Sequence, residues 1–484
     1  MNFKMMGRVN ALILAVVTFF MLPSLIICYI DRDTNGAHAF LITIAITTAV
    51  AGALALISIG AKRDFYAREG MLSVGFSWII ISLLGCLPFF ISGQIPRFID
   101  ALFETVSGFT TTGASIIPDL SKLTRGMLYW RSFTHWIGGM GVLVFLLATM
   151  PISGKNEGFT LHLLRAESPG PDVGKLVPKM RQTAAILYVN YIVLTLLTFL
   201  FYFFGGMPVF EAICHAFGTA GTGGYGILPD SFASYAPHIQ VFASVFMLLF
   251  GINFNCYFLI LMGQFKNVFK DEELKLYLGI VAGSVLLITF NIRYLYGSFG
   301  ESLRHAFFQV SSIITTTGFC TTDFDLWPAF SKGILLVLMV IGACAGSTGG
   351  GIKVARALIL LKGMKRNLAQ ILRPNRVQAL RVNEKAVDEK VIRNTNAFFV
   401  TYIFIAAFSF LLVSLDEFSV TTNISAVLAC LNNIGPGLEA VGPTANYSAM
   451  SILSKIVLIF DMLAGRLEIF PILVLFAPTA WKKR

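Results

Sequence analysis

Four short clusters in this chain mix glycine with hydroxyl or amide side chains between long apolar runs. They read SGFTTTGAS (107–115), GTAGTGGYG (218–226), SSIITTTGFC (311–320) and CLNNIGPG (430–437). Aligned, they share one glycine, at Gly113, Gly224, Gly318 and Gly435. Glycine adopts φ > 0 without steric cost, so successive carbonyls can turn the same way there. A ring of such peptide oxygens can replace the hydration shell of an ion. Threonine suits the positions before the glycine, because β-branching stiffens it and its hydroxyl bonds locally. The candidate coordinating set is Thr111, Thr112 and Gly113; Thr222, Gly223 and Gly224; Thr316, Thr317 and Gly318; and Asn433, Ile434 and Gly435. No Asp, Glu, Lys or Arg lies within three residues of these glycines, and Glu439 comes nearest, so backbone rather than carboxylate coordination is expected. Glycine and threonine also serve close helix contacts in membranes. Four clusters in register favour the coordinating reading.

The elements that must position these clusters repeat with them. Ahead of each glycine lies an amphipathic stretch too short to cross a bilayer: 98–109, 208–219, 303–314 and 420–432. Each suits a re-entrant half-helix, because non-helical backbone survives inside a membrane only where it is buried in protein or lines a watery cavity. The carboxyl end of such a half-helix carries a partial negative charge, and four ends facing one axis favour a cation. The chain is 56% hydrophobic and 13% charged over 484 residues, which rules out an ordinary soluble domain. Ten apolar runs are expected to span: 9–30, 37–60, 71–93, 128–150, 184–206, 239–263, 276–297, 333–361, 397–415 and 452–478. The first is too long for a signal-peptide core and is read as retained. The expected fold is an all-α integral membrane protein, with four span–half-helix–loop–span units around a central pore and two leading helices. Residues 1–70 hold the leading pair. The units occupy 71–152, 183–265, 275–362 and 396–484, and a basic linker fills 363–395.

The net charge of +11 sits on alternate loops, not on a nucleic-acid-binding face. Basic residues crowd 1–8, 62–68, 155–181, 266–275, 362–393 and the tail, so the positive-inside rule places both termini in the cytoplasm. Seven scattered cysteines without a CxxC pair suggest neither zinc nor a disulfide framework.

Together, TTTGAS, TGGYG, TTTGF, NNIGPG and GRLEIF resemble the membrane-embedded TrkH/TrkG-type subunits of the Trk/Ktr potassium transporter family. The resemblance runs over essentially the whole chain. It implies a potassium-conducting pore in the cell inner membrane, a homodimer, and a separate cytosolic TrkA-type subunit that binds nucleotide and controls opening. It also implies a gate. Gly346, Ser347, Thr348, Gly349, Gly350 and Gly351 match the family's intramembrane loop, and Arg466 matches an arginine projecting beside it. Six small residues in mid-span are poor helix formers, so the run 333–361 is not expected to be one straight helix. An arginine near mid-span must face water or a partner, the alternative role being an ion pair with Asp461 or Glu468. Lys353 reads equally as a gate contact or a snorkelling interface residue. TTT, GTG, TTT and NNI precede the four glycines, so fewer well-formed ion sites are expected than in a symmetric channel. How strictly potassium is preferred over sodium stays open.

Other classes fit poorly. GTGGYG (221–226) nearly matches a dinucleotide fingerprint but follows a half-helix rather than a strand, so nucleotide control is expected from another polypeptide docked near 362–393. Anionic lipid headgroups would suit the same charges. There is no HExxH or GxSxG, and an enzyme is not expected. A proton- or sodium-coupled symporter with less strict selectivity is the rival, with Asp461 and Glu468 as its carboxylates.

Overall fold

The computed structural model describes residues 2–61, 66–141, 180–373 and 378–482. Six helices in it are long and apolar enough to cross a membrane: Phe3–Ile30, Thr34–Ile57, Arg68–Ile91, Ala185–Phe204, Glu272–Ile292 and Glu389–Asp416. They coincide with six of the ten expected spans. Their outward faces expose Phe19, Leu56, Phe204, Phe290 and Phe404, which water would reject and lipid accepts. The second helix is the most peripheral, with 17% of its most apolar window buried.

The other four runs, each following a glycine cluster, are not single straight helices. Helix Arg125–Met140 ends at Gly141, whose φ is +76°; the rest of that expected span lies outside the described residues, as do most of the basic stretches at 62–68 and 155–181. Helices Pro237–Phe250 and Phe254–Leu261 meet at an 89° bend. Helix Ala329–Ile341 stops, and the chain resumes helix only at Val354–Leu372. Helix Ile452–Arg466 breaks before Phe470–Phe476. Steric crowding explains part of this. A methyl group on Gly138 would strike the Phe109 carbonyl, and one on Gly465 the Leu431 carbonyl. The small residues needed for that close approach are also those that hold a helix least well.

Four short helices stand where half-helices were expected: Phe98–Phe109, Val209–Gly221, Phe299–Ile314 and Val420–Leu431. Two of their starts are capped by a serine side chain. Ser298 accepts the Glu301 N–H at 3.1 Å, and Ser419 accepts that of Thr422 at 3.0 Å, each satisfying an otherwise orphaned donor. The largest apolar core joins the leading helices to the first and last units through Val17, Phe40, Trp130, Phe109, Leu458 and Met462. Lys455 of the last unit reaches Asp100 of the first short helix at 2.7 Å, so the first and last units meet. The basic linker holds an element that the sequence reading did not expect. Arg381–Val382 pairs antiparallel with Lys385–Ala386, and both turn residues, Asn383 and Glu384, have positive φ, as a two-residue hairpin demands.

Candidate ion-coordination site

All four short helices end the same way. In the first, the Thr111 N–H donates to the Gly108 carbonyl at 3.1 Å and the Thr112 N–H to Ser107 at 2.8 Å. Thr222 and Gly223 repeat this on Thr219 and Gly218 (3.1 and 2.9 Å), Thr316 and Thr317 on Ile313 and Ser312 (3.0 and 2.8 Å), and Asn433 and Ile434 on Cys430 and Ala429 (3.2 and 2.9 Å). This is the Schellman closure, whose left-handed residue is usually glycine. Here it is Thr111, Thr222, Thr316 and Asn433, with φ of +55°, +53°, +59° and +56°. Two residues on, Gly113, Gly224, Gly318 and Gly435 are left-handed again, at +78°, +78°, +82° and +98°. Left-handed residues two apart turn successive peptides so that an extended loop can aim consecutive carbonyls to one side, whereas a strand alternates them.

These loops face one another in order around a ring. A side chain on Gly113 would run into the Gly223 carbonyl, one on Gly224 into Thr317, and one on Gly318 into Ile434. One on Gly435 would come within 2.7 Å of the Thr112 carbonyl and close the circle. All four glycines line one shared mouth, together with Tyr225, Cys320, Pro436 and Tyr447. Among the described residues no cluster of His, Cys, Asp or Glu is arranged to hold a metal. The twelve sequence-selected residues therefore assemble at one place, and the oxygens they bring belong to the backbone, to hydroxyl groups and to the Asn433 amide. Beyond the ring, Glu439 accepts hydrogen bonds from Ser419 and from Thr422 (3.2 Å); the Ser419 bond foremost holds its carboxyl below the usual range, so it stays ionised near the mouth.

The glycine-rich segment lies against the helix ends of the third and fourth loops. The Gly350 N–H donates to Thr316 Oγ1 at 2.6 Å, and the Gly351 N–H to the Asn432 carbonyl at 3.1 Å. Thr348 donates to the Phe250 carbonyl through Oγ1 at 3.3 Å, and the Cys344 N–H to Gly251 at 3.0 Å, so the segment also fills the elbow of the bent span. Arg466 completes the circuit. It donates to the carbonyls of Thr348 (2.9 Å), Gly138 (2.5 Å) and Gly139 (2.6 Å) and to Thr111 Oγ1 (3.3 Å). All four acceptors are neutral. Glu468 pairs instead with Arg356, and Asp461 accepts from Ser409 Oγ at 2.7 Å. Lys353 is 2% exposed and donates to the Gly349 carbonyl, so it does not snorkel. Ser347, between these contacts, donates to Cys344 at 2.6 Å.

Two features escaped the sequence reading. Left-handed threonines were not foreseen, since β-branched residues seldom adopt that conformation; Asn433, which tolerates it, was the available clue. The second is a buried ion pair. Arg131 Nε donates to Glu104 Oε1 at 2.7 Å, and its Nη1 donates to the Gly226 carbonyl at 3.0 Å. Its guanidinium lies 3.5 Å from the Tyr225 ring centre. Glu104 in turn accepts from Ser115 Oγ (3.0 Å) and the Ile116 N–H (2.9 Å), so the pair rivets the first loop to the second. A charge on each of two membrane-embedded helices was the signal.

Comparison with known proteins agrees with this geometry. Residues 36–292 and 296–483 match the family TrkH, described as cation transport protein. The chain is 36% identical to the Trk system potassium uptake protein TrkH of Salmonella typhimurium, with 100% of both chains covered. It is 32% identical to the Trk system potassium uptake protein TrkG of Escherichia coli K12, over 96% of this chain and 95% of that one. The crystal structure of the potassium transporter TrkH from Vibrio parahaemolyticus superposes with a TM-score of 0.89 at 31% identity, covering 100% of both chains. The chain belongs to the TrkH family of cation transport proteins: it is a membrane transporter, not an enzyme.

Proposed function

We propose that this protein admits potassium to the cell across the cytoplasmic membrane through the ring of Gly113, Gly224, Gly318 and Gly435. The observation that carries the reading is the closed circle of left-handed glycines, each abutting the next loop's carbonyls. Thr111, Thr112, Thr222, Gly223, Thr316, Thr317, Asn433 and Ile434 supply the remaining coordinating oxygens. Ten spans in four span–half-helix–span units plus two leading helices form the architecture, with both termini cytoplasmic. Gly346–Gly351, Lys353 and Arg466 form the barrier beneath the ring. Arg466 puts a fixed positive charge where a cation must pass, and the segment occupies the space its backbone would otherwise leave. A homodimer and a TrkA-type nucleotide-binding subunit docked on the basic linker complete the working assembly. Potassium is cargo, and the reading calls for no organic cofactor.

Rubidium uptake into liposomes containing only this chain tests the reading. Uptake driven by a rubidium gradient, with sodium competing poorly, is expected. Uptake that responds only to an imposed pH or sodium gradient would favour the second reading, coupled symport. One observation speaks for that reading: Asp461 is fully buried in the last unit, and its Oδ2 has no hydrogen-bond partner among the described residues.

A further inference from the structure

The glycine-rich segment leaves helix Ala329–Ile341 and re-enters helix Val354–Leu372, and one carboxylate fastens both of its ends. Glu273 Oε1 accepts the Ala345 N–H at 2.6 Å and the Ala355 N–H at 3.1 Å. Ala345 precedes the first glycine of the segment. Ala355 lies in the first turn of the re-entering helix, where N–H groups lack partners and the helix dipole favours an anion. Glu273 is 8% exposed and comes from a different helix, Glu272–Ile292.

The start of helix Glu272–Ile292, which carries Glu273, is also gripped by the linker hairpin. Asn383, at the hairpin tip, donates to Asp271 Oδ2 at 2.9 Å and accepts the Glu272 N–H at 2.8 Å. Lys362 bonds Glu272 and also donates to the Arg381 carbonyl at 2.7 Å. One helical turn, Asp271 to Glu273, thus holds the glycine-rich segment with one residue and the hairpin with the other two.

We propose that Glu273 is the clip that keeps the segment seated under the ring, and that this turn transmits the position of the hairpin to it. Glu273 touches no ion; it is a positioning residue. A partner that shifts the hairpin pulls on Asp271 and Glu272, draws the Glu273 carboxylate away from Ala345 and Ala355, and frees both ends of the segment together. This inference rests on reading Gly346–Gly351 as the barrier.

The test is rubidium uptake into liposomes holding the full chain without any partner, with the melting temperature of each variant recorded. Glu273→Ala is expected to raise uptake about fivefold or more, the scale of ordinary coupling between sites. Glu273→Gln keeps the accepting oxygen and is expected to stay near the unsubstituted protein, a rescue that a purely electrostatic role would not give; a folding role would instead show as a lowered melting temperature with no gain of uptake in Glu273→Ala. Asn383→Ala is expected to raise uptake by less, and to add nothing in the Glu273→Ala background because the same connection is already cut. If Arg466→Ala raises uptake while Glu273→Ala lowers it or leaves it unchanged, the clip is wrong and the barrier stands. If neither raises it, the barrier reading falls first. If Glu273→Ala does not fold, Asn383→Ala decides, and unchanged uptake in that variant overturns the transmission.

Discussion

The ring and the layer beneath it are built by opposite rules. In the ring, four segments of different sequence adopt one backbone: the same helix closure, the same left-handed residue, the same left-handed glycine two positions later. Beneath it, the four return spans break in different ways. One ends at Gly141, one bends by 89°, one opens into a long glycine-rich segment and one resumes after Ile469, whose φ is +68°. On the proposed reading, an ion on the axis would meet all four walls at once, so a deviation in any one loop would degrade its coordination. A barrier needs only one segment that can move, and the other three spans give it surfaces to rest on. On that reading, uniformity serves coordination and asymmetry serves control.

The largest expected effect tests whether the ring is held from outside. Arg131 and Glu104 are buried together behind the first two loops, and removing one partner strands the other. Arg131→Met is expected to cost about 3–5 kcal/mol of stability, the usual result of breaking a buried pair. Thermal unfolding in detergent would measure it. A loss confined to exposed-pair size, about 1 kcal/mol or less, would mean that the first and second loops hold their shape unaided.

Gly318→Ser comes next. Serine at φ +82° is strained by about 1–3 kcal/mol, and its Cβ would push the Ile434 carbonyl out of line. Preference for rubidium over sodium is expected to drop about tenfold, since 1.4 kcal/mol corresponds to that factor. The same change at Gly435 should be milder, because its Cβ would meet the Thr112 carbonyl at 2.7 Å rather than overlap it more deeply. Equal losses at both glycines would show a ring more symmetric than its contacts. Unchanged ion ratios in Gly318→Ser would remove the ring from the selective step. In the layer beneath, Arg466→Ala is expected to raise partner-free rubidium uptake several-fold, about 1 kcal/mol on the same scale. A fall would make Arg466 a brace rather than part of a barrier.

Much of the ring was legible in the chain because it depends on local signals. Short amphipathic stretches gave the half-helices, and a repeated glycine gave the register. The structure extends the third of those half-helices back to Phe299, where Ser298 caps it, a start that the polar residues before Leu303 concealed. The layer beneath was legible only where composition is extreme, as in Gly346–Gly351. The 89° bend and the break at Ile469 arise from contacts with other units, the elbow receiving Cys344 and Gly346 and the break adjoining the Arg356–Glu468 pair. Hydropathy reads such runs as single spans because it registers lipid exposure and not which carbonyl a neighbouring unit will occupy. The Glu104–Arg131 pair lies within the first unit and reaches the second only through the Gly226 carbonyl, so its charges were visible in the sequence but its geometry was not.

The smallest effect separates the four left-handed positions from one another. A β-branched residue there costs about 1–2 kcal/mol, and asparagine tolerates the conformation better. Thr222 bonds its hydroxyl to the carbonyl of its own neighbour, Gly221, at 2.7 Å. Thr316 instead receives the Gly350 N–H at 2.6 Å and ties the ring to the layer below. Thr222→Asn is therefore expected to raise stability by about 0.5–1 kcal/mol with uptake unchanged, because relief of strain outweighs the loss of a local bond. Thr316→Asn gains the same relief but disturbs a buried bond worth about 1 kcal/mol and strands a donor, so its stability is expected to fall. Melting temperatures moving in opposite directions would show that chemically identical threonines serve coordination alone in one loop and coordination plus anchoring in another. Parallel falls in both would mean that the Thr222 hydroxyl's bond to Gly221 outweighs the relief of backbone strain.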